Sequence, residues 1–483
     1  MPNKFINNYI LSVINTLAGL LIPIITFPYV SRVLGAENLG IINFAASYGY
    51  YFMHLANFGI SSYAIREISK IRDNKDELHR VSNEIYNINI LFSILSGVLY
   101  IVGVFSIAKF RENALVFCLY SLPIFTNFLG LEWIFQAFDD YKFTTLRGLL
   151  VRVLSLVATF VFIKEKADYP IYMLISAISD MGSRLSNLYY VRKRYAKINL
   201  HPKFLNFKNH FKSLFTLFIF RMINGISANL DKIMIGFMLI YSYVGVYSAG
   251  IKFVLLVIPL IENIGIVLFP KINISAGTSE DEYKRNLIFN YNLILMLSIP
   301  MAVGMFLLSP MIIKLFAGAE YLGAINVSRI MCLIIVLCPI GDLLGSKTLL
   351  VYNKDSWLLI CSSIVAVSNI VLNAVFIPLW GINGATFASL MSYFVAVLSR
   401  YIFTRRLVKF NLFTWNLLKY TCFTVPFIII YLFLRDYINS NVGIMFAYVF
   451  VAIIIYAFEL FFTKDKDFMF VIKRFLKKDK KCL

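Results

Sequence analysis

The feature that most constrains this chain is a succession of apolar runs, each about as long as a bilayer is thick. Windows of roughly 19 residues mark about 14 of them, from 8–30 and 39–63 near the start to 416–434 and 441–462 near the end. A transmembrane helix needs about 20 such residues. The chain is 59% hydrophobic, with a mean hydropathy of +0.75. No soluble domain of 483 residues hides that much apolar surface. The alternating period of a membrane barrel is absent. The expected fold is an all-α polytopic membrane protein.

Lysine and arginine set the expected orientation. One set of connections is basic: Arg66–Arg80, Arg192–Lys212, Lys271–Arg285, Arg405–Lys409 and the tail Lys464–Lys481. The other set is short and nearly free of charge, as at Tyr241–Tyr243 and Pro378–Gly381. About 30 cations fall on the first side and about 7 on the second, so both termini are expected in the cytoplasm. The net charge of +20 then reflects topology; no DNA- or RNA-binding module is visible, and a nucleic-acid partner is not expected.

The long basic connection suggests a division into an N-terminal lobe at 1–191, a linker at 192–212, a second lobe at 213–404, two extra spans at 405–463 and a basic tail at 464–483. An internal echo agrees with it. Leu39-Gly40-Ile41-Ile42-Asn43-Phe44-Ala45 and Val244-Gly245-Val246-Tyr247-Ser248-Ala249-Gly250 each open the second span of a half. Six spans per half in one orientation imply a parallel repeat about an axis along the membrane normal, with a site between the halves.

Charges inside apolar runs are costly, at roughly 2.5–3.5 kcal/mol each on insertion scales, so they mark candidate sites. The stretch Leu214–Leu239 carries Arg221, Asp231 and Lys232. On a helix, Arg221, Gly225, Ala228 and Lys232 share one face, with the two cations about 16 Å apart. Such a pair suits a ligand with separated anionic or polar groups. The plainer reading is a helix-end pair with a snorkelling arginine.

Span one has a polar face of Asn8, Ser12, Asn15, Gly19 and Thr26; span two has Asn43, Ser47, Tyr50, His54, Asn57 and Ser61. Small polar residues also serve plain helix packing, but Tyr50 and His54 are large for that role and are candidate cavity-wall residues. Arg152, Arg184, Lys252 and Arg329 are further cationic candidates, with Asp180 four residues before Arg184 as its expected partner. Asp231 and Glu262 are the candidates for ion coupling. The excess of cations favours an anionic substrate over an organic cation.

The missing motifs narrow the class. There is no phosphate loop for an ATPase, no hydrolase or metalloprotease signature, and no Cys/His cluster of metal-ligand spacing among the six cysteines. No cofactor, metal or catalytic residue is expected, and the chain reads as a transporter.

Six stretches, in order, resemble one family. They are Pro28-Tyr29-Val30-Ser31-Arg32-Val33-Leu34-Gly35-Ala36-Glu37-Asn38-Leu39-Gly40, then Asn57-Phe58-Gly59-Ile60 with Ala64-Ile65-Arg66-Glu67, and Glu132-Trp133-Ile134-Phe135-Gln136 with Tyr141-Lys142. Leu230-Asp231-Lys232-Ile233-Met234-Ile235-Gly236, Val244-Gly245-Val246-Tyr247-Ser248 and Trp380-Gly381-Ile382-Asn383-Gly384-Ala385 follow. Together they resemble the polysaccharide-synthesis transporters, the O-antigen and lipid-linked oligosaccharide flippases of the multidrug, oligosaccharidyl-lipid and polysaccharide exporter superfamily.

The resemblance implies two six-helix lobes around a central cavity that opens alternately to either side, plus two C-terminal helices. It implies a glycan on an undecaprenyl pyrophosphate carrier as substrate, in the cytoplasmic membrane. Membrane lipids and a glycan polymerase with its chain-length machinery are the partners it suggests. Arg32 would then sit at the outer mouth and receive the head group. The alternatives are a peptidoglycan-precursor or teichoic-type glycan flippase, a cation-coupled multidrug antiporter of the same fold and, from another class, a membrane glycan polymerase or glycosyltransferase. The last would need acidic catalytic residues on a sizeable external loop, and the external loops here are short.

Overall fold

The computed structural model describes residues 2–195, 206–278 and 280–476, and every regular element among them is helical. The chain forms two compact units, Met1–Ser248 with Phe316–Glu320, and Ala249–Leu315 with Tyr321–Leu483.

The first unit begins with α1 (Pro2–Asn57), which passes through a non-helical residue, Gly35, at φ 77°. Its 56 residues would measure about 84 Å if straight, far beyond the about 30 Å of a bilayer core. The turn at Gly35 makes two arms of it. Then come α2 (Ile60–Ile71), α3 (Lys75–Ser106), the short α4 (Ala108–Arg111), α5 (Ala114–Phe125), α6 (Glu132–Ala137), α7 (Tyr141–Phe162), α8 (Tyr169–Arg194) and α9 (Phe207–Met238). The start of α10 (Tyr241–Thr278) completes the unit.

The fourth apolar run, read as one span over 114–135, is broken. Pro123 lies inside α5, a short 3-10 turn covers Asn127–Leu129, and Leu131 takes φ 47° before α6 starts. Proline removes a helical hydrogen bond and crowds the preceding turn, which hydropathy does not register.

Contacts within this unit sort its connections into two groups. Lys109 Nζ donates to Leu239 O at 2.8 Å, Tyr241 Oη to Lys109 O at 2.7 Å, and Asn38 Nδ2 to Lys166 O at 2.8 Å. These connections are short and carry little net charge. At the other end Arg72 approaches Asp139 at 3.9 Å, Arg194 approaches Asp140 at 3.5 Å, and His210 Nε2 lies 2.9 Å from Glu84 Oε2. An apolar cluster of Ile60, Ile85, Trp133, Phe135, Val191 and Leu214 underlies that basic end.

The second unit holds the rest of α10, then α11 (Glu280–Phe316), α12 (Ala324–Met331), α13 (Ile334–Leu344), α14 (Asp355–Arg405), α15 (Trp415–Cys422), α16 (Val425–Ser440), α17 (Val442–Phe462) and α18 (Lys466–Leu476). The runs at 357–377 and 381–402 form one element, α14, folded on itself. Gly381 takes φ 56°, and a β-carbon on Gly384 would stand 1.8 Å from Phe376 O. Asn369 Nδ2 donates to Ser392 Oγ at 3.2 Å across the fold. Its 51 residues therefore supply two arms.

Asp465 anchors the end of this unit. Its Oδ2 accepts from Lys419 Nζ at 2.6 Å and from Tyr420 Oη at 3.2 Å. Its Oδ1 accepts from the Phe468 amide at 2.9 Å and caps α18. Burial pushes this carboxyl up, but Lys419 and the Phe468 amide outweigh it and hold it below the ordinary range.

Eight helical segments among the described residues are long and apolar enough to cross a bilayer, α14 counted once. Phe433, Phe450 and Phe458 point outward from α16 and α17. Large apolar side chains on outer faces and polar ones inside fit a multi-pass membrane protein.

Candidate functional site

The face of α9 that carries Arg221 packs on the second arm of α1, in antiparallel register. A β-carbon on Gly236 would fall 2.3 Å from the Phe44 ring, and one on Gly225 would fall 3.0 Å from Tyr50 Oη and 3.7 Å from His54 Nε2. Both glycines thus admit aromatic rings to the helix backbone. Arg221, one turn before Gly225, donates from Nη2 to Ser62 Oγ at 2.6 Å.

Ser62 is placed by the break between α1 and α2. Phe58 and Gly59 take φ 43° and 77°, and a β-carbon on Gly59 would meet Leu214 O at 2.7 Å. Only glycine lets the break and α9 approach this closely. The Tyr50 and His54 rings meet edge to face at 4.5 Å and 74°.

The result is a guanidinium, an imidazole, a phenol and a hydroxyl gathered within apolar helices. A guanidinium has five donors, enough to hold Ser62 and to grip an anion as a bidentate pair.

Further along α9, Asp231 is buried and accepts from Tyr247 Oη of α10 at 2.9 Å. Lys232 donates to Asn229 Oδ1 at 3.0 Å. The side chains of Asn224, Ser227 and Ala228 lie outside the described residues, as do those of Asn8, Ser12 and Asn15 on α1.

Arg152 and Arg184 line a different place, a polar cavity between α7, α8 and the first arm of α1. Arg184 does not form the expected ion pair with Asp180. Its Nη1 donates to Pro123 O, a carbonyl near the break in α5, and Asp180 feels its charge at longer range. The break exposes carbonyl acceptors that a continuous helix would have used.

Arg32 runs alongside Gly318, where a β-carbon would meet its Cγ at 3.4 Å. Nearby, Glu320 binds Lys166 Nζ at 2.9 Å and the Ala36 amide at 3.1 Å. Gly35 leaves the space, since a β-carbon there would stand 2.7 Å from Glu320 Oε2. Lys166 and the Ala36 amide hold the Glu320 carboxyl below its usual range, and Glu320 raises Lys166.

The remaining candidates belong to the second unit. Glu262 Oε1 is 3.9 Å from Cys338 Sγ, and the Lys347–Asp342 pair at 3.2 Å supplies charges close enough to act on it. Arg329 stacks its guanidinium over Phe306 at 5.3 Å. Lys252 lies half-buried on α10.

Sequence reasoning missed Ser62 and Glu320, which acquire a role only from partners distant in sequence.

Residues 5–275 match the family described as "Polysaccharide biosynthesis protein". The chain is 25% identical over 161 residues to a "Putative O-antigen transporter" of Escherichia coli (strain K12), which covers 33% of this chain and 39% of that protein. It is 20% identical over 341 residues to a protein of the same description from Shigella dysenteriae, covering 70% and 84%. The chain thus spans less than half of the first relative and most of the second.

Among solved structures, the lipid II flippase MurJ in an inward closed conformation superposes with a TM-score of 0.79 at 17% identity, over 95% of this chain and 99% of that one. An inward-facing MATE multidrug transporter of the MOP superfamily gives 0.62 at 14% identity, over 82% and 94%. These two likenesses carry the fold. The named relatives are transporters and flippases, not enzymes. The family match takes in more than half of the 483 residues, and the chain belongs to the polysaccharide biosynthesis protein family.

Proposed function

We propose that this protein is a flippase that carries an undecaprenyl-pyrophosphate-linked oligosaccharide, an O-antigen, capsule or exopolysaccharide repeat unit, across the cytoplasmic membrane by alternating access. The observation that carries the reading is the Arg221 guanidinium of α9, held by Ser62 of α2 on the side of α9 that faces Tyr50 and His54 of α1. A pyrophosphate and sugars do not cross about 30 Å of hydrocarbon unaided. An arginine fork replaces the hydration of the phosphates, and the polyprenyl tail stays in lipid.

In this reading the chain crosses the membrane about 14 times, as two six-span lobes and two extra spans, with both termini in the cytoplasm. Arg221 and Lys232 bind the anionic head, Tyr50 and His54 border it, and Arg32 receives it at the outer side. Lys252 and Arg329 are wall residues of the second lobe. Asp231 and Glu262 are the coupling acids. Membrane lipids surround it, and a glycan polymerase with its chain-length machinery takes the product. The family match and the O-antigen transporter relatives support the glycan over a drug cation.

The test is deletion of the gene followed by leaflet-resolved analysis of lipid-linked glycans. Repeat units should accumulate on the cytoplasmic leaflet, and restored export on re-expression should accompany their loss. Accumulation of peptidoglycan or teichoic precursors instead would reassign the substrate. No accumulation of any lipid-linked glycan would end the flippase reading.

A further inference from the structure

The apolar helical segment Ala324–Leu349 changes register before it ends. α13 stops at Leu344, and Gly345–Leu349 forms a π turn, closed by the Leu350 amide on Gly345 O at 3.2 Å. Two charges stand on either side of that change, Asp342 and Lys347. Five residues apart, they would point about 140° away from each other on an α-helix of 3.6 residues per turn. Spacings of three and four are the ones that bring side chains together there. A π turn holds more residues per turn, and this one carries Lys347 back to Asp342: Nζ lies 3.2 Å from Oδ2.

The turn is held from its neighbours. Arg400 Nη1 of α14 donates to Gly341 O at 2.9 Å, and Tyr283 Oη of α11 donates to Lys347 O at 3.0 Å. Within the turn Thr348 Oγ1 donates to Leu343 O at 2.9 Å. Gly345 makes room for Arg400, whose Cδ would lie 3.4 Å from a β-carbon there. Isolated π turns inside helices concentrate at functional sites.

What this turn delivers is an ammonium group into an apolar interior. The Lys347 side chain is 8% exposed, against 31% for Asp342. Glu262 of α10 faces the same place. Its Oε1 is 3.9 Å from Cys338 Sγ, and Cys338 precedes Asp342 by four residues on one face of α13. Asp342 and Lys347 are both close enough to act on the Glu262 charge. Among the described residues, two carboxylates thus meet two cations, Lys347 and Arg400, and the charges balance. Without Lys347 the two carboxylates would share one guanidinium already tied to Gly341 O. An uncompensated charge is costly in such a place, and a small monovalent cation would take the position of the ammonium.

We propose that Asp342 and Glu262 form a monovalent-cation site and that Lys347, turned inward by the π turn, is its resident cation. A sodium ion reaches these carboxylates only when the lysine is removed. The site belongs wholly to the second unit and stands independently of the flippase reading.

The test uses the purified full-length protein in detergent, with thermal unfolding read in sodium chloride and in choline chloride of equal ionic strength. A bound ion raises the unfolding temperature by mass action. The quantity scored is the gain that sodium gives Lys347→Gln beyond the gain it gives wild type. Lys347→Gln should unfold earlier than wild type in choline and recover several degrees, saturably, in sodium. Lys347→Arg, which keeps a cation, should show no such gain, and Asp342→Asn combined with Lys347→Gln should abolish it. A sodium response of Lys347→Gln no larger than that of wild type, or a gain that survives Asp342→Asn, would overturn the site. So would a Lys347→Gln protein that folds in neither salt while the double variant folds, since sodium then does not replace the ammonium. Transport of lipid-linked glycans by the wild type is scored separately and bears on the flippase reading alone.

Discussion

Gly40 and Gly245 meet backbone to backbone, and they do so reciprocally. A β-carbon on Gly40 would stand 1.8 Å from Tyr241 O, and one on Gly245 would stand 2.0 Å from Ala36 O. Each glycine touches the residue four positions before the other, as in a two-fold contact. These are the glycines that open the two echoing stretches, and the two stretches pack against each other at these positions. Replacing Gly245 with Val should lower the thermal unfolding temperature of the purified protein, since overpacking costs about 1–3 kcal/mol. Gly304→Ala, where a β-carbon meets nothing within 4 Å, should leave that temperature unchanged or slightly raised.

The Glu320–Lys166 contact should respond to pH with a defined sign. Glu320 is held low, so its contribution is present above the unfolded carboxyl value of about 4.3 and fades as pH falls through the lower folded value. Lys166 is raised, so its contribution is full below about 10.4 and is lost on rising through the higher folded value. The contact is thus at full strength between about pH 5 and pH 10. The protection of the Ala36 amide, its intrinsic exchange rate relative to the observed rate at the same pH, should fall in acid, and Glu320→Gln should show low protection already at neutral pH.

Arg221→Ala should reduce glycan transport at least tenfold per folded molecule, and Arg221→Lys should recover part of it, because lysine lacks the planar fork. Transport and affinity for lipid-linked substrate, measured on protein of verified abundance and unfolding temperature, separate this from a bracing role. Wild-type affinity in a folded Arg221→Ala protein would remove Arg221 from the binding site.

Coupling is tested in proteoliposomes with and without a proton or sodium gradient. If an acid carries the coupling, Asp231→Asn or Glu262→Gln should flatten the gradient dependence while basal exchange persists. Turnover that ignores both gradients in the wild type would withdraw both residues.

Topology is checked by cysteine labelling in a Cys-free background. Positions in 109–113 and 164–169 should react from outside intact cells, and positions in 192–212 should not. The reverse pattern would invert the orientation.

The one-dimensional pattern determined the all-α membrane class of the fold and the long apolar helices that build it. These follow from composition within a window and from helical period, both local properties. Tertiary structure decided how those pieces are used. It broke the fourth apolar run between Thr126 and Leu131 and gave Arg184 the Pro123 carbonyl in place of Asp180. It also set Ser62 against Arg221 across 159 residues and Glu320 against Lys166 across 154. The physical reason is common to all of these. A buried polar group takes whatever partner the packing brings within about 3 Å, and separation along the chain does not encode that distance.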